Sequence, residues 1–353
     1  MHTCANDKMA TSIKDIARKT GVSHSTVSRA LHKSPLISLE TAERIRQVAQ
    51  EMGYQPSAAA RSLKTNRTQV LGVIVSNIAD PFFSEILFGI EEFAQAKDYS
   101  LFIASSQHDP QREQKIVQTM MEQRTDGIIL CSSSFSAEQG RHLLEYGFPV
   151  VVINNQAADS FHYSIYHDDI DGSQQITRHL IGLGHRRIAY VGNTRSGRTN
   201  LDRLSGFRSA MAEANLPIPA AYIYAAQGGE ARMGFEAMQH FLRLSNRPTA
   251  VFCFNDLIAI GALNACSLAG VSVPGQVSIA GFDNISYSEF TTPSITTFDQ
   301  PKRSIGREAA QLLFDLLGLE TGELSHTQDV KILKGKLLVR ASTAAPAEES
   351  SQP

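Results

Sequence analysis

At 353 residues, 42% of them hydrophobic and with a formal net charge of −2, the chain is long enough for two or three domains and can fill a sizeable core. No apolar run is long enough to cross a bilayer or to serve as a signal peptide. The four cysteines (Cys4, Cys131, Cys253, Cys266) form no CxxC pair and no Cys/His metal spacing. These features argue against a membrane protein, a disulfide-stapled scaffold or a metal site, and lead us to expect a cytoplasmic protein with buried thiols. The near-neutral total conceals an asymmetry. Met9–Gln69 carries ten Lys and Arg against four Asp and Glu, whereas the chain beyond it carries 22 against 30. A basic head on an acidic body suits a head that meets a polyanion. A solvated basic face would give the same count, so charge alone leaves both readings open.

The head parses into three short helices. Ser12 with Asp15 makes a capping box, Ile13, Ile16 and Ala17 form a helical stripe, and Thr20-Gly21 ends the first helix. Ser23 caps a second, whose Val27, Ala30 and Leu31 face inward. A third starts at Ser38, runs through Ala42, Ile45, Val48, Ala49 and Met52, and stops at Gly53. The second helix opens with small polar residues, in "GVSHSTVSRALHKS". Short side chains at Ser23, His24, Ser25, Thr26 and Ser28 permit close approach to a duplex, and hydroxyls there can donate to phosphates. Arg29, one turn on, has the fork geometry for guanine O6 and N7. The pattern predicts a helix-turn-helix with its second helix in the major groove of double-stranded DNA. The competing reading is a generic helical hairpin bearing a surface arginine.

At this point the chain resembles the lactose-repressor (LacI/GalR) family of bacterial transcription regulators. "IKDIARKTGVSHSTVSRAL", "GYQPSAAARSLKTNRT" and "LGVIVSNIADPFFSEI" are consecutive landmarks of that family, and the resemblance runs from about Thr11 to Ser342. It implies that "PSAAARSL" is a hinge helix, with Ala60 and Leu63 on the DNA and Leu63 wedged between base steps in the minor groove. Eight residues are too few to hold a helix alone in water, so ordering is expected only beside the copy from a second subunit on DNA. Packing of Leu63 on a neighbouring domain is the plainer alternative. A homodimer on a near-palindromic operator is the implied assembly.

From Val70 onward, buried strands are predicted in "VLGVIVS", "YSLFIAS", "DGIILCS" and "FPVVVIN", with helices over Ser84–Lys97, Pro110–Gln123 and Ala137–Tyr146 between them. The rhythm returns in "RRIAYVG", "AAYIYAA", "TAVFCFN" and "VSIAGFD". The expected class is α/β: an N-terminal helix-turn-helix DNA-binding domain, then a two-lobed, periplasmic-binding-protein-like body of doubly wound parallel sheets. The expected divisions are a head over 10–55, a hinge helix and linker over 56–69, and an effector-binding and dimerisation body over 70–342. Within the body, lobe 1 takes about 70–168 and 301–328, and lobe 2 about 169–298 and 329–342. Residues 343–353, acidic and rich in Pro and Ser, are expected to be a disordered tail.

Ligands of such sheets lie at strand carboxyl ends, which here are polar. The resemblance assigns effector contact to Arg203, Asn255 and Asp283. Asn77 and Asn154 end strands, and Phe82 and Phe83 would wall a ring face. Asn and Asp suit hydroxyl recognition, which points to a sugar or sugar derivative. Asp256 is expected to cap the following helix, Gln300 to lie where the chain crosses between lobes, and His108, His167 and His185 to be structural. Gly229 stands where several relatives have an aromatic residue, so that side of the pocket should be open or filled from elsewhere. No GxGxxG, P-loop or nucleophile–base pair is present, and no cofactor is expected. The reading is a regulator, by the family's usual outcome a repressor, and not an enzyme; a periplasmic-type sugar-binding protein without a regulatory role is the alternative.

Overall fold

The structure is a computed structural model that describes residues 11–32, 34–54, 66–133, 136–155, 163–318 and 329–347. The chain divides into two compact units, Met1–Thr68 and Gln69–Pro353.

The first unit holds α1 (Ile13–Thr20), α2 (His24–Leu31) and α3 (Leu39–Glu51). Ser12 and Asp15 form the capping box in both directions, and Gly21 closes α1 at φ 71°, a left-handed conformation that suits glycine. Ser23 Oγ accepts from the Thr26 N–H at 3.1 Å and so caps α2. Ile16, Val27, Ala30, Ala42, Ile45 and Ala49 make the core, at one or two positions per helical turn. Each fully buried Ile or Val contributes about 1.5–3 kcal/mol, enough to hold helices too short to be stable alone.

The second unit contains two parallel sheets. The strands are β1 (Val70–Val75), β2 (Ser100–Ser105), β3 (Gly127–Cys131), β4 (Val150–Ile153), β5 (Tyr163–His167), β6 (Ile188–Asn193), β7 (Ile223–Ala226), β8 (Ala250–Cys253), β9 (Ser278–Ala280), β10 (Thr297–Asp299), β11 (Asp329–Leu333) and β12 (Lys336–Leu338). The helices are α4 (Pro81–Gln95), α5 (Pro110–Glu122), α6 (Ala137–Glu145), α7 (Asp169–Gly182), α8 (Gly197–Glu213), α9 (Ala231–Leu242), α10 (Asp256–Leu268) and α11 (Lys302–Leu316). Lobe 1 is a six-stranded sheet in the order β11-β5-β4-β3-β1-β2, and lobe 2 a four-stranded sheet in the order β7-β6-β8-β9. The antiparallel pair β10–β12 lies where the chain passes between them.

The structure departs from the sequence reading in four places. Residues 329–333, expected in lobe 2, form β11 and pair in parallel with β5 of lobe 1, covering an otherwise open sheet edge. The chain therefore crosses between lobes three times, near His167–Asp169, Asp299–Pro301 and Lys334-Gly335. Residues 343–347 are not a disordered tail. Thr343 Oγ1 bonds Thr296 Oγ1 at 2.8 Å, and the Ala344 N–H donates to Ser278 Oγ at 3.1 Å, which ties the segment to Thr296 and to the first residue of β9. Residues 348–353 lie outside the described residues. β2 is an edge strand with Phe102 and Ile103 exposed, not a buried one. Finally, α4 begins three residues early, because Asp80 caps it and Pro81 is preorganised for the first turn.

Helices α4 and α11 pack closely on lobe 1. A Cβ on Gly89 would lie 2.2 Å from the Arg303 carbonyl oxygen, and one on Gly306 2.1 Å from that of Ile86. Arg303 also pairs with Glu92 through two nitrogens. The three described thiols are buried, and burial pushes those of Cys131 and Cys266 up to about 12. Among the described residues no helix is long and apolar enough to cross a membrane.

Candidate effector cleft and DNA-reading helix

The carboxyl ends of the lobe 1 strands face those of lobe 2 across a cavity of about 190 Å³. All seven residues singled out from the sequence line it: Asn77, Phe82, Phe83, Asn154, Arg203, Asn255 and Asp283. The cavity is of a size to take one small polar molecule.

On the lobe 1 side, Asn77 Oδ1 accepts from the Ala79 N–H at 3.0 Å, which shapes the loop leaving β1. Asp80 Oδ1 accepts from Phe82 N–H at 3.0 Å. Burial lifts the Asp80 carboxyl to about 6; that hydrogen bond opposes the rise and nearby Asp283 adds to it. Phe82 and Phe83 pack edge to face with centroids 5.3 Å apart, and both are buried. Asn154, at φ 50°, places Nδ2 2.5 Å from His167 Nε2.

On the lobe 2 side, Arg203 is 2% exposed. Its Nε donates to Asp169 Oδ1 at 2.7 Å, its Nη2 to Asp283 Oδ1 at 3.2 Å, and its Nη1 to the Phe254 carbonyl. The guanidinium lies 3.8 Å from the Phe282 ring centre and 4.4 Å from that of Phe254. Three of its five N–H groups are thus taken by the protein. Burial pushes Asp169 up, but His167 and Arg203 outweigh it and hold that carboxyl below its ordinary value. Asp283 Oδ1 also accepts from Gln300 Nε2 at 2.5 Å, while Oδ2 carries no hydrogen bond among the described residues. Burial raises the Asp283 carboxyl, with Arg203 opposing.

Asn255, not Asp256, caps α10. Its Oδ1 accepts from the Ile258 N–H at 2.9 Å, and its Nδ2 donates to the Gly229 carbonyl at 3.0 Å. Asp256 is fully buried in the first turn, where it accepts from Thr297 Oγ1 at 2.6 Å and the Ile285 N–H at 2.9 Å. Burial, then the Asp283 charge, lifts it to about 8. A Cβ on Gly229 would meet the amide nitrogens of Asn255 and Asn193 at 3.0 and 3.1 Å, so amides wall the side where an aromatic is lacking.

Sequence reasoning missed Asp80, His108, Ser132, His167, Asn193, Arg195 and Glu230, which also line the cavity. Most of them follow the end of a strand, and applying the carboxyl-end rule to every strand would have found them. His108 and His167, expected to be structural, are cleft residues; burial, then Arg195, lowers the His108 pKa. His185 is structural, with Nδ1 2.9 Å from Thr249 Oγ1 and Nε2 2.9 Å from the Ala344 carbonyl.

In the first unit, α2 exposes His24, Ser25 and Arg29, and leaves Thr26 and Ser28 half-buried. The Ser23 hydroxyl lies 2.8 Å from those of Ser25 and Thr26, so these groups form one cluster around the helix start. Ala60 and Leu63 lie outside the described residues.

Residues 12–57 match the model of bacterial regulatory proteins of the lacI family, and residues 177–343 that of a periplasmic binding protein-like domain. The HTH-type transcriptional repressor PurR of Actinobacillus pleuropneumoniae serotype 3 is 36% identical over 312 residues, covering 88% of this chain and 92% of the relative. PurR of Pasteurella multocida is 34% identical over 336 residues, 95% and 98% of the two chains. Among solved structures, the regulator CelR in complex with cellobiose superposes with a TM-score of 0.70 at 26% identity, covering 94% of this chain and 99% of that one. A LacI family regulator from Enterococcus faecium with bound ribose has a TM-score of 0.70 at 27% identity, covering 79% and 100%. The lac repressor dimer bound to operator superposes with a TM-score of 0.84 at 24% identity over 96% and 100%, a likeness of fold. A repressor-like head joined to a binding-protein-like body, over nearly the full length of such relatives, makes the chain a member of the lacI family of bacterial regulatory proteins, a DNA-binding transcription regulator and not an enzyme.

Proposed function

We propose that this regulator is a repressor whose affinity for operator DNA is set by a small, hydroxyl-rich effector, a sugar or sugar derivative, bound between the two lobes of its body. The observation that carries the reading is the cleft itself. Amides and carboxylates from both sheets converge on a space of one small molecule beside two phenylalanines. Asp283 Oδ2 offers an unused acceptor, Arg203 retains two N–H groups, and Asn77 and Asn154 stand opposite. This mixture suits alternating hydroxyls on an apolar ring face. Two regulators of similar fold hold cellobiose and ribose, which supports the same ligand class.

In this reading the head (10–55) reads DNA through α2. Ser23, His24, Ser25, Thr26 and Ser28 lie along the backbone and Arg29 reaches a guanine. Residues 56–69 form the hinge, with Ala60 and Leu63 in the minor groove, and the cytoplasmic protein acts as a homodimer on a near-palindromic site. An effector shifts DNA affinity only by its differential affinity for two arrangements of the lobes. A thermal-shift screen of the full chain against monosaccharides, disaccharides, sugar acids and nucleosides identifies the ligand class. For the sugar so found, Asp283→Ala should lose about 1–3 kcal/mol of affinity by calorimetry, because the partner hydroxyl is left unpaired in the cleft. Unchanged affinity would place the site elsewhere.

A further inference from the structure

Lys302 is the first residue of α11, and Pro301 before it supplies no side-chain cap. Its side chain is only 1% exposed. Burying an ammonium is unfavourable, and the positive end of a helix dipole adds to the cost. Four oxygens from two lobes offset it. Nζ donates to the carbonyls of Asp283 at 2.6 Å and Asn284 at 3.0 Å, and lies 3.6 Å from Glu85 Oε1 and 3.7 Å from Asp299 Oδ1. Residues that break local rules in this way belong to functional or strained sites.

The two carbonyls belong to a strained turn, with φ 101° at Asp283 and 50° at Asn284. Such a conformation in residues with side chains persists only where its surroundings over-determine it. The Asp283 N–H donates to the Phe298 carbonyl at 2.9 Å, and Arg340 Nη2 donates to Asn284 Oδ1 at 2.7 Å. Lys302 takes the carbonyl side. The turn thereby fixes where the Asp283 carboxylate stands: Oδ1 on Arg203 and Gln300, and Oδ2 at the cleft, without a partner among the described residues. The third oxygen, from Glu85, belongs to α4, the helix that carries Phe82 and Phe83 into the other wall.

We propose that Lys302 is a positioning residue of the effector cleft: its ammonium holds the Asp283–Asn284 turn in its strained form and, through Glu85, ties that turn to α4, so that the carboxylate wall and the phenylalanine wall keep one spacing. The proposal rests on the cleft being the effector site, but its test needs no ligand, so its failure and the failure of that reading are separable. The carbonyl contacts are short and buried and do the positioning. The Glu85 contact is longer and half-exposed, and does the tying.

The test uses the full-length chain with Lys302→Met, Lys302→Gln and Glu85→Gln. Hydrogen exchange is read amide by amide, and the lobe spacing by electron-electron spin distances between nitroxides at Lys115→Cys in α5 and Gln239→Cys in α9. In Lys302→Met the Asp283 amide should exchange about tenfold faster or more, while amides of β6 and β8 stay within about twofold. Glu85→Gln should leave Asp283 protected but broaden the distance distribution between lobes. An unchanged Asp283 amide, or a uniform rise across lobe 2, would overturn the positioning role and leave only a contribution to stability. An unchanged distance distribution in Glu85→Gln would overturn the tie. If Lys302→Met does not fold, Lys302→Gln, which keeps a donor and loses the charge, is read by the same criteria.

Discussion

Arg203 sits in a network of buried charge, and that changes what its removal does. Were it an effector contact alone, it could be truncated without harm to the fold. In the structure it neutralises Asp169 and Asp283, both buried, and stacks between two phenylalanines. Arg203→Ala should therefore cost about 3–5 kcal/mol of stability, because breaking a buried pair leaves uncompensated charge; denaturant melts check this. Asp80 gives a pH signature. Its folded value of about 6 lies above the ordinary 3.8, so its contribution to stability is complete below pH 3.8 and lost as the pH rises through 6. Asp80→Asn keeps an N-cap side chain and has no charge to bury. The stability of the variant relative to the parent should rise between pH 4 and 7, by at most about 3 kcal/mol and by less where solvent screens the partly open carboxyl. A pH-independent difference between the two would show that Asp80 does not titrate there.

At the scale of elements, the α4–α11 contact is set by two glycines where side chains would collide with main chain. Gly89→Ala places a Cβ against the Arg303 carbonyl, which is backbone and cannot swing aside. The helices must separate, and the expected loss is about 1–3 kcal/mol. Gly182 near the end of α7 is the control. Nothing lies within 4 Å of a Cβ there and its φ is not left-handed, so Gly182→Ala should stabilise by about 0.4–1 kcal/mol. Equal melting temperatures for the two variants would contradict the close contact. The corrected places of β11 and of residues 343–347 belong to the same scale. These short segments have too little periodicity to place themselves; parallel pairing with β5 and hydrogen bonds to Ser278 and Thr296 decide where they lie.

At the scale of the whole molecule, the helix-turn-helix and the candidate effector cleft belong to separate compact units. Arg29 is exposed on α2 and takes no part in the core of its unit. Arg29→Ala should thus weaken binding to the specific site by about 1–3 kcal/mol and relax preference at one base pair per half-site. The melting of the body should not move. Competition binding against single-base variants of the operator reads the first outcome and calorimetric melting the second. An equal loss on all sequences would make Arg29 a phosphate contact.

The amino-acid sequence by itself determined what is local and repetitive. The capping box, serine caps and helical stripes of the head, the charge contrast between head and body, and eight of the strands followed from patterns within a few residues of one another. Polar groups ending apolar runs are visible in one dimension, and they marked Asn77, Asn154, Asn255 and Asp283; Phe82 and Phe83 were marked as an apolar wall after the first strand, and Arg203 only by the family resemblance. Only the tertiary structure decided which groups share one space and what each is already bonded to. Asn255 proved to be the helix cap and Asp256 a buried strut; His108 and His167 moved from scaffold to cleft; and Lys302 met Glu85 across more than two hundred residues. The reason is physical. Capping, burial and periodicity act over one or two turns of chain, whereas ion pairing and desolvation depend on distances that only the packing of two lobes sets.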